Sequence, residues 1–168
     1  MRAVVNAVAI SDHDGDLPIH FNESQSGASH YDPAAKVRCP CITLDSYAAD
    51  NAIERIDLLK IDVEGHEMAA LRGAAGLLSE GRVDAIYFEY FERYLSPYHP
   101  PKDLLEYLRG FGFEICLCRG HDLDKSGGAT HILNGASGRS LPVRPISSNE
   151  VPSQTDLLAV KPVRLQLA

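Results

Sequence analysis

A chain of 168 residues is long enough to bury a sizeable core, and it reads as one domain. Sixteen basic against twenty-three acidic residues leave a formal charge of −7, and no Lys/Arg cluster offsets it, which argues against a nucleic-acid partner. No apolar run approaches the roughly 20 residues of a membrane span, and the apolar start meets Ser11-Asp12-His13-Asp14-Gly15 too soon for a signal peptide, so a cytoplasmic chain without a membrane partner is expected.

In chain order, residues 3–10 read as a strand and residues 12–16 as a turn. Residues 17–21 alternate apolar and polar, like one arm of a hairpin, and residues 22–33 form a polar loop. A strand is expected over 36–44, with Val37, Cys39 and Cys41 on one face and Pro40 marking a sheet edge. A short helix follows through Ala52, capped by Thr43 or Asp45.

Residues 56–90 organise the rest. An apolar run over 56–61 breaks at Asp62-Val63-Glu64-Gly65-His66-Glu67. A helix is expected over 67–78, with Met68, Leu71, Ala75 and Leu78 on one stripe, then a second apolar run over 83–88 that ends at Glu89. This is a βαβ pattern. Ligands of open α/β sheets bind at the carboxyl ends of the strands, so Asp62, Glu64 and Glu89 are expected to share that edge.

Beyond it lies an aromatic, proline-rich stretch, then a helix opened by Pro100-Pro101, carrying Leu104, Leu105, Leu108 and Phe111 and stopped by Gly110 and Gly112. A strand is expected over 113–118. Residues 119–155, dense in Gly, Ser, Asn and Pro, read as a flexible surface excursion, and residues 156–162 as a last strand. The cysteines fall in two pairs, Cys39/Cys41 and Cys116/Cys118. Were the two strands neighbours, four thiolates would surround a zinc ion. The spacing is shorter than usual for structural zinc, and the plain reading is four small apolar residues in a reducing compartment.

The run Asp57-Leu58-Leu59-Lys60-Ile61-Asp62-Val63-Glu64-Gly65-His66-Glu67, with Leu71-Arg72-Gly73-Ala74, resembles the FkbM-type methyltransferases. The stretch from Val5 to Asp12 with Asp14-Gly15, the small-residue loop Ser26-Gly27-Ala28-Ser29, Thr43-Leu44-Asp45, Phe88-Glu89 and Leu157-Leu158-Ala159-Val160 extend the likeness. It implies an S-adenosylmethionine-dependent O-methyltransferase of α/β class, with a Rossmann-like class I fold, a mixed sheet and flanking helices. The family's Gly-rich cofactor turn after the first strand, and the acid that ends the second, do not occur in these residues. The chain is therefore expected to be a single partial domain, truncated at its N-terminus, in which residues 1–55 hold the third strand, hairpin and short helix, and residues 56–118 the core. Residues 4–10 would dangle, pair with the family's fourth strand, or meet another chain, so self-association through an exposed sheet edge is expected.

By the resemblance, Asp62, Glu64 and Glu89 are the catalytic candidates: a carboxylate accepts or orients the proton of an attacking hydroxyl. The plainer alternative makes Asp62 a helix cap, Glu64 a first-turn acid and Glu89 a strand meeting water. Ala7, Asp12 and Asp62 are the cofactor candidates. His66, Ser26, Ser29 and Tyr90 are candidates for the acceptor pocket, with Ser24, His30, Tyr94, Tyr98 and His99 nearby in sequence. The expected acceptor is a small-molecule hydroxyl of a sugar or polyketide, and no metal is assigned. Two rival readings remain, a non-catalytic assembly module and a divalent-metal hydrolase built on Asp62, Glu64, Glu89 and His66.

Overall fold

The computed structural model describes residues 3–24, 29–117, 130–133, 140–147, 149–162 and 165–167. Its contacts cluster into two compact units, Met1–Glu54 with Val63–Glu80, and Arg55–Asp62 with Gly81–Ala168. Among the described residues the strands form two sheets, rather than the single mixed sheet expected.

The first unit holds a four-stranded sheet. Its strands are β1 (Ala9–Ile10), β2 (Gly15–His20), β3 (His30–Tyr31) and β4 (Arg38–Ile42), in the order β1-β4-β2-β3. The first is much shorter than the strand expected over 3–10, because only Ala9 and Ile10 find partners, in parallel with Cys41 and Ile42. The preceding residues face solvent, and Val5 is 95 % exposed. β4 is not an edge strand as Pro40 suggested. The β1 ladder starts only at Cys41, so the missing N–H of Pro40 lies beyond it, while β2 pairs along the other side. The expected hairpin is β2 with β3 and β4, both antiparallel.

Three helices complete this unit: α1 (Leu44–Asp50), α2 (Glu67–Arg72) and α3 (Ala75–Ser79). Thr43 caps α1, its Oγ1 accepting from the Ser46 amide at 3.0 Å. Asp45 does other work. Its carboxylate accepts from the Gly76 and Leu77 amides at 2.8 and 2.9 Å and so caps α3. The single helix expected over 67–78 is thus two, broken at Gly73-Ala74. The break has a steric partner as well: a Cβ at Gly73 would sit 2.0 Å from the Ser11 carbonyl oxygen. Two backbones meet where only glycine fits.

The second unit carries β5 (Leu59–Ile61), β6 (Ala85–Phe91), α4 (Glu92–Leu95), α5 (Pro101–Gly110), β7 (Glu114–Leu117), β8 (Thr130–Leu133), β9 (Ser140–Pro145), β10 (Gln154–Val160) and β11 (Leu165–Leu167). The sheet order is β11-β8-β9-β7-β10-β6-β5. β5 and β6 are parallel, and the other pairs are antiparallel. The first apolar run is shorter as a strand than its sequence suggests, with Ile56 making only an isolated bridge to Val83. β6 runs past its expected end at Glu89 because Thr155 and Gln154 of β10 continue the ladder opposite Tyr90 and Phe91. Ile86, Phe88 and Tyr90 are buried on one face. On the other, Ala85 and Tyr87 pack with Cys116, Val143, Leu158 and Val160.

Pro101 opens α5 and Gly112 follows its end at φ 80, so this helix forms where its caps predict, with Leu104, Leu105 and Leu108 buried. The segment expected as an excursion supplies β8 and β9, and β10 is followed by β11 rather than closing the fold. Cys118 lies outside the described residues. Among them, Cys39 and Cys41 are free.

Candidate functional site

In the second unit, parallel pairing of Ile61 with Phe88 brings the residue after β5, Asp62, level with Glu89. A carboxylate oxygen of each lies within 4.8 Å of the other. Glu89 sits inside β6 rather than at its end, half-buried, and stands directly opposite Asp156 of β10. Like charges placed opposite across strands cost about 0.2–1 kcal/mol. Lys60, two residues before Asp62 on the same face of β5, answers them, with its ammonium 2.6 Å from Asp62 Oδ2. That hydrogen bond raises the Lys60 pKa, and the charges of Asp62, Asp156 and Glu89 raise it further. Asp62 therefore caps no helix; α2 has His66 at its N-cap, without a side-chain cap bond.

Lys60 and Asp156 escaped sequence reading. Lys60 sits inside the apolar run over 56–61, where nothing local singles it out. Asp156 opens an apolar run and becomes a neighbour of Glu89 only through the antiparallel register of β10.

The first unit holds the other candidates. Glu64 lies at φ 51, in the left-handed region, and Gly65 follows at φ 94. For a residue with a side chain that conformation costs roughly 1–2 kcal/mol, and such strain concentrates at functional turns. The Gly65 amide donates to Glu67 Oε1 at 3.2 Å. His66 lies with Nε2 3.1 Å from Ser11 Oγ and its ring centroid 4.8 Å from that of Tyr31. Burial lowers its pKa, so the neutral ring is favoured.

Asp12 lies at the turn after β1. Its Oδ1 accepts from Ser11 Oγ at 3.3 Å and stands 2.9 Å from His13 Nδ1. The His13 hydrogen bond lowers the Asp12 pKa, and the same contact raises that of His13. Ala7 is exposed and precedes the first ladder pair.

Ser29 Oγ accepts from the Asn22 amide at 3.2 Å, and Ser24 Oγ donates to Asn22 Oδ1 at 2.9 Å. His30 stacks beside His20, with centroids 5.2 Å apart. Ser26 lies outside the described residues. In the second unit Tyr90 is 1 % exposed, and burial together with the charge and hydrogen bond of Glu92 pushes its phenol up to about 12. It packs in the core instead of lining an acceptor pocket. Among the described residues Tyr94 and Tyr98 are the exposed aromatics there, and Tyr94 stands edge-on to Phe91 at 4.6 Å.

Among known proteins, the family model of the methyltransferase FkbM domain matches residues 3–115. No curated protein and no solved structure matches the chain.

Proposed function

Because the chain belongs to the methyltransferase FkbM domain family, we propose that it serves O-methylation of a small-molecule hydroxyl, as on a sugar or polyketide. The observation that carries this reading is the pair of carboxylates at the end of β5, Asp62 and Glu89, within 4.8 Å of each other beside Lys60. In this reading Asp62 takes the hydroxyl proton of the acceptor and Glu89 holds that oxygen in line. The end of β5 is the strand end where α/β folds bind ligands. A Rossmann-like arrangement is supported by parallel β5 and β6, with α2 and α3 between them in the chain.

The family's donor is S-adenosylmethionine, and the described residues do not fit it as a whole. Ala7 is exposed on irregular backbone, the Asp12 carboxylate is engaged by Ser11 and His13, and Asp62 is ion-paired with Lys60. Gly65, at the entry to α2, stands alone between Glu64 and His66 rather than in a Gly-rich turn. A second reading is a non-catalytic module that pairs with another chain. The edge strand β5 favours it, with Leu58 beside it 59 % exposed. Free Cys39 and Cys41 suit a reducing compartment such as the cytoplasm.

Calorimetric titration with S-adenosylhomocysteine, at protein concentrations spanning dimerisation, tests the first reading. Micromolar affinity, about −8 kcal/mol, supports it. Absence of heat at every concentration rejects it, and association seen by sedimentation then selects the second.

A further inference from the structure

One face of the second sheet changes character along its strands. Successive residues of β6 alternate, so Glu89 and Phe91 lie on the face of Ala85 and Tyr87, opposite buried Ile86, Phe88 and Tyr90. Antiparallel register puts Leu158 level with Tyr87, Asp156 with Glu89 and Gln154 with Phe91. Along this face β10 passes from buried Val160 and Leu158, through half-buried Asp156, to exposed Gln154. Tyr94 of α4, also exposed, stands edge-on to Phe91. Just beyond, the Glu92 amide donates to Ser153 O at 2.9 Å and ties the two strands together. From β5, Lys60 stands level with Tyr87, and Asp62 follows level with Glu89. The polar, aromatic end of the face therefore coincides with the carboxyl ends of β5 and β6.

We propose that Phe91, Tyr94, Gln154 and Asp156 form the acceptor subsite beside Asp62 and Glu89 and select a neutral pyranose ring, an inference that rests on the methyl-transfer reading for the hydroxyl that reacts. The balance of donors and acceptors carries it. Ionised carboxylates only accept hydrogen bonds, and Asp62, Glu89 and Asp156 line this end of the face. A ligand that satisfies them must donate, as a ring of hydroxyls does and the ketones and esters of a polyketide do not. Gln154 both donates and accepts, which suits a hydroxyl. The three carboxylates stand against the ammonium of Lys60, whose charge all three reach, so the face disfavours a phosphorylated or acidic sugar. Phe91 and Tyr94 add what a group of carboxylates lacks. An aromatic ring is negative on its face and attracts the polarised C–H groups of a sugar ring. Glu89 and Phe91 are two residues apart, about 6.8 Å along the strand, so a ring held at Phe91 keeps its edge hydroxyls toward Glu89 and Asp156. Phe91, Gln154, Glu89 and Asp156 all lie in paired strands, which keeps the subsite rigid.

The probes are the methyl pyranosides of glucose, galactose, mannose and rhamnose, with the acyclic polyol sorbitol for comparison. Saturation-transfer-difference NMR on the full chain reads their binding, with and without S-adenosylhomocysteine. The expected result is transfer to the ring C–H groups of at least one pyranoside and none to sorbitol. Tyr94→Ala and Gln154→Ala, both at exposed positions, each weaken that binding by about two- to tenfold. Phe21→Ala, at an exposed aromatic of the first unit, leaves it unchanged. Absence of transfer to every pyranoside, equal transfer to sorbitol, or full affinity in both Tyr94→Ala and Gln154→Ala overturns the proposal. If S-adenosylhomocysteine gives no heat while a pyranoside binds and weakens in Tyr94→Ala, the sugar subsite stands and methyl transfer falls. Heat from S-adenosylhomocysteine without pyranoside binding is the reverse, and it overturns the subsite alone.

Discussion

Replacing Gly73 with alanine is the sharpest test of the contact between α2 and the end of β1. The added Cβ would lie 2.0 Å from Ser11 O, 3.1 Å from Ser11 C and 3.4 Å from Thr43 Cα. An ordinary carbon–oxygen contact is about 3.3 Å, so the two backbones must part by more than ~1 Å. Overpacking of that kind costs about 1–3 kcal/mol. The movement also threatens the bond from the Asp45 amide to Gly73 O at 2.9 Å and that from the Ser11 amide to Ile42 O at 3.2 Å. Each contributes about 0.5–1.5 kcal/mol. Against this stands a chain-entropy gain of about 0.4–1 kcal/mol for Gly→Ala. The net expectation is a loss of about 2–4 kcal/mol, or on the order of 10 °C in Tm for a chain of this size. Gly110, the last residue of α5, is the matched control, because a Cβ there meets nothing within 4 Å. Gly110→Ala is expected to gain about 0.4–1 kcal/mol by the same entropy. Urea unfolding followed by circular dichroism compares the two. Equal stabilities within about 0.5 kcal/mol would refute the close approach.

Other outcomes follow from the same contacts. Asp45→Ala removes the acceptor for the Gly76 and Leu77 amides and is expected to cost about 1–2 kcal/mol, read by the same unfolding curves. Asp62→Asn and Glu89→Gln are each expected to lower methyl-transfer turnover by about 10²–10⁴-fold; a loss under threefold, about 0.7 kcal/mol, would remove that residue from the reaction. In NMR titration His13 is expected to protonate above the ordinary 6.5 and His66 below it. The imidazolium of His13 stabilises the fold fully below 6.5, and this is lost as pH rises through its raised folded pKa. Asp12, with its pKa depressed, contributes above 3.8, and this is lost as pH falls through the depressed value. Neutral His66 contributes fully above 6.5 and progressively less as pH falls. Asp12→Asn is expected to return His13 toward 6.5; an unchanged titration would dissolve the pair.

Whatever is written within a few neighbouring residues was legible in the sequence itself. Pro101, the leucine stripe and Gly112 specify α5 by caps and periodicity, and Thr43 specifies the start of α1. The apolar runs over 56–61 and 83–88 marked the parallel pair that carries the carboxylates. Tertiary structure decided the rest. The break between α2 and α3 depends on Asp45, 31 residues from Gly76, and on the backbone of Ser11. β8 and β9 lie in a stretch without periodicity, and β9 gains order from pairing with β7. Asp156 stands beside Glu89, and His13 beside Cys41, because of strand register and a turn. Caps and periodicity act over one or two turns of chain, and a sequence displays them. Register and backbone approach depend on partners far along the chain, and only the folded packing selects them.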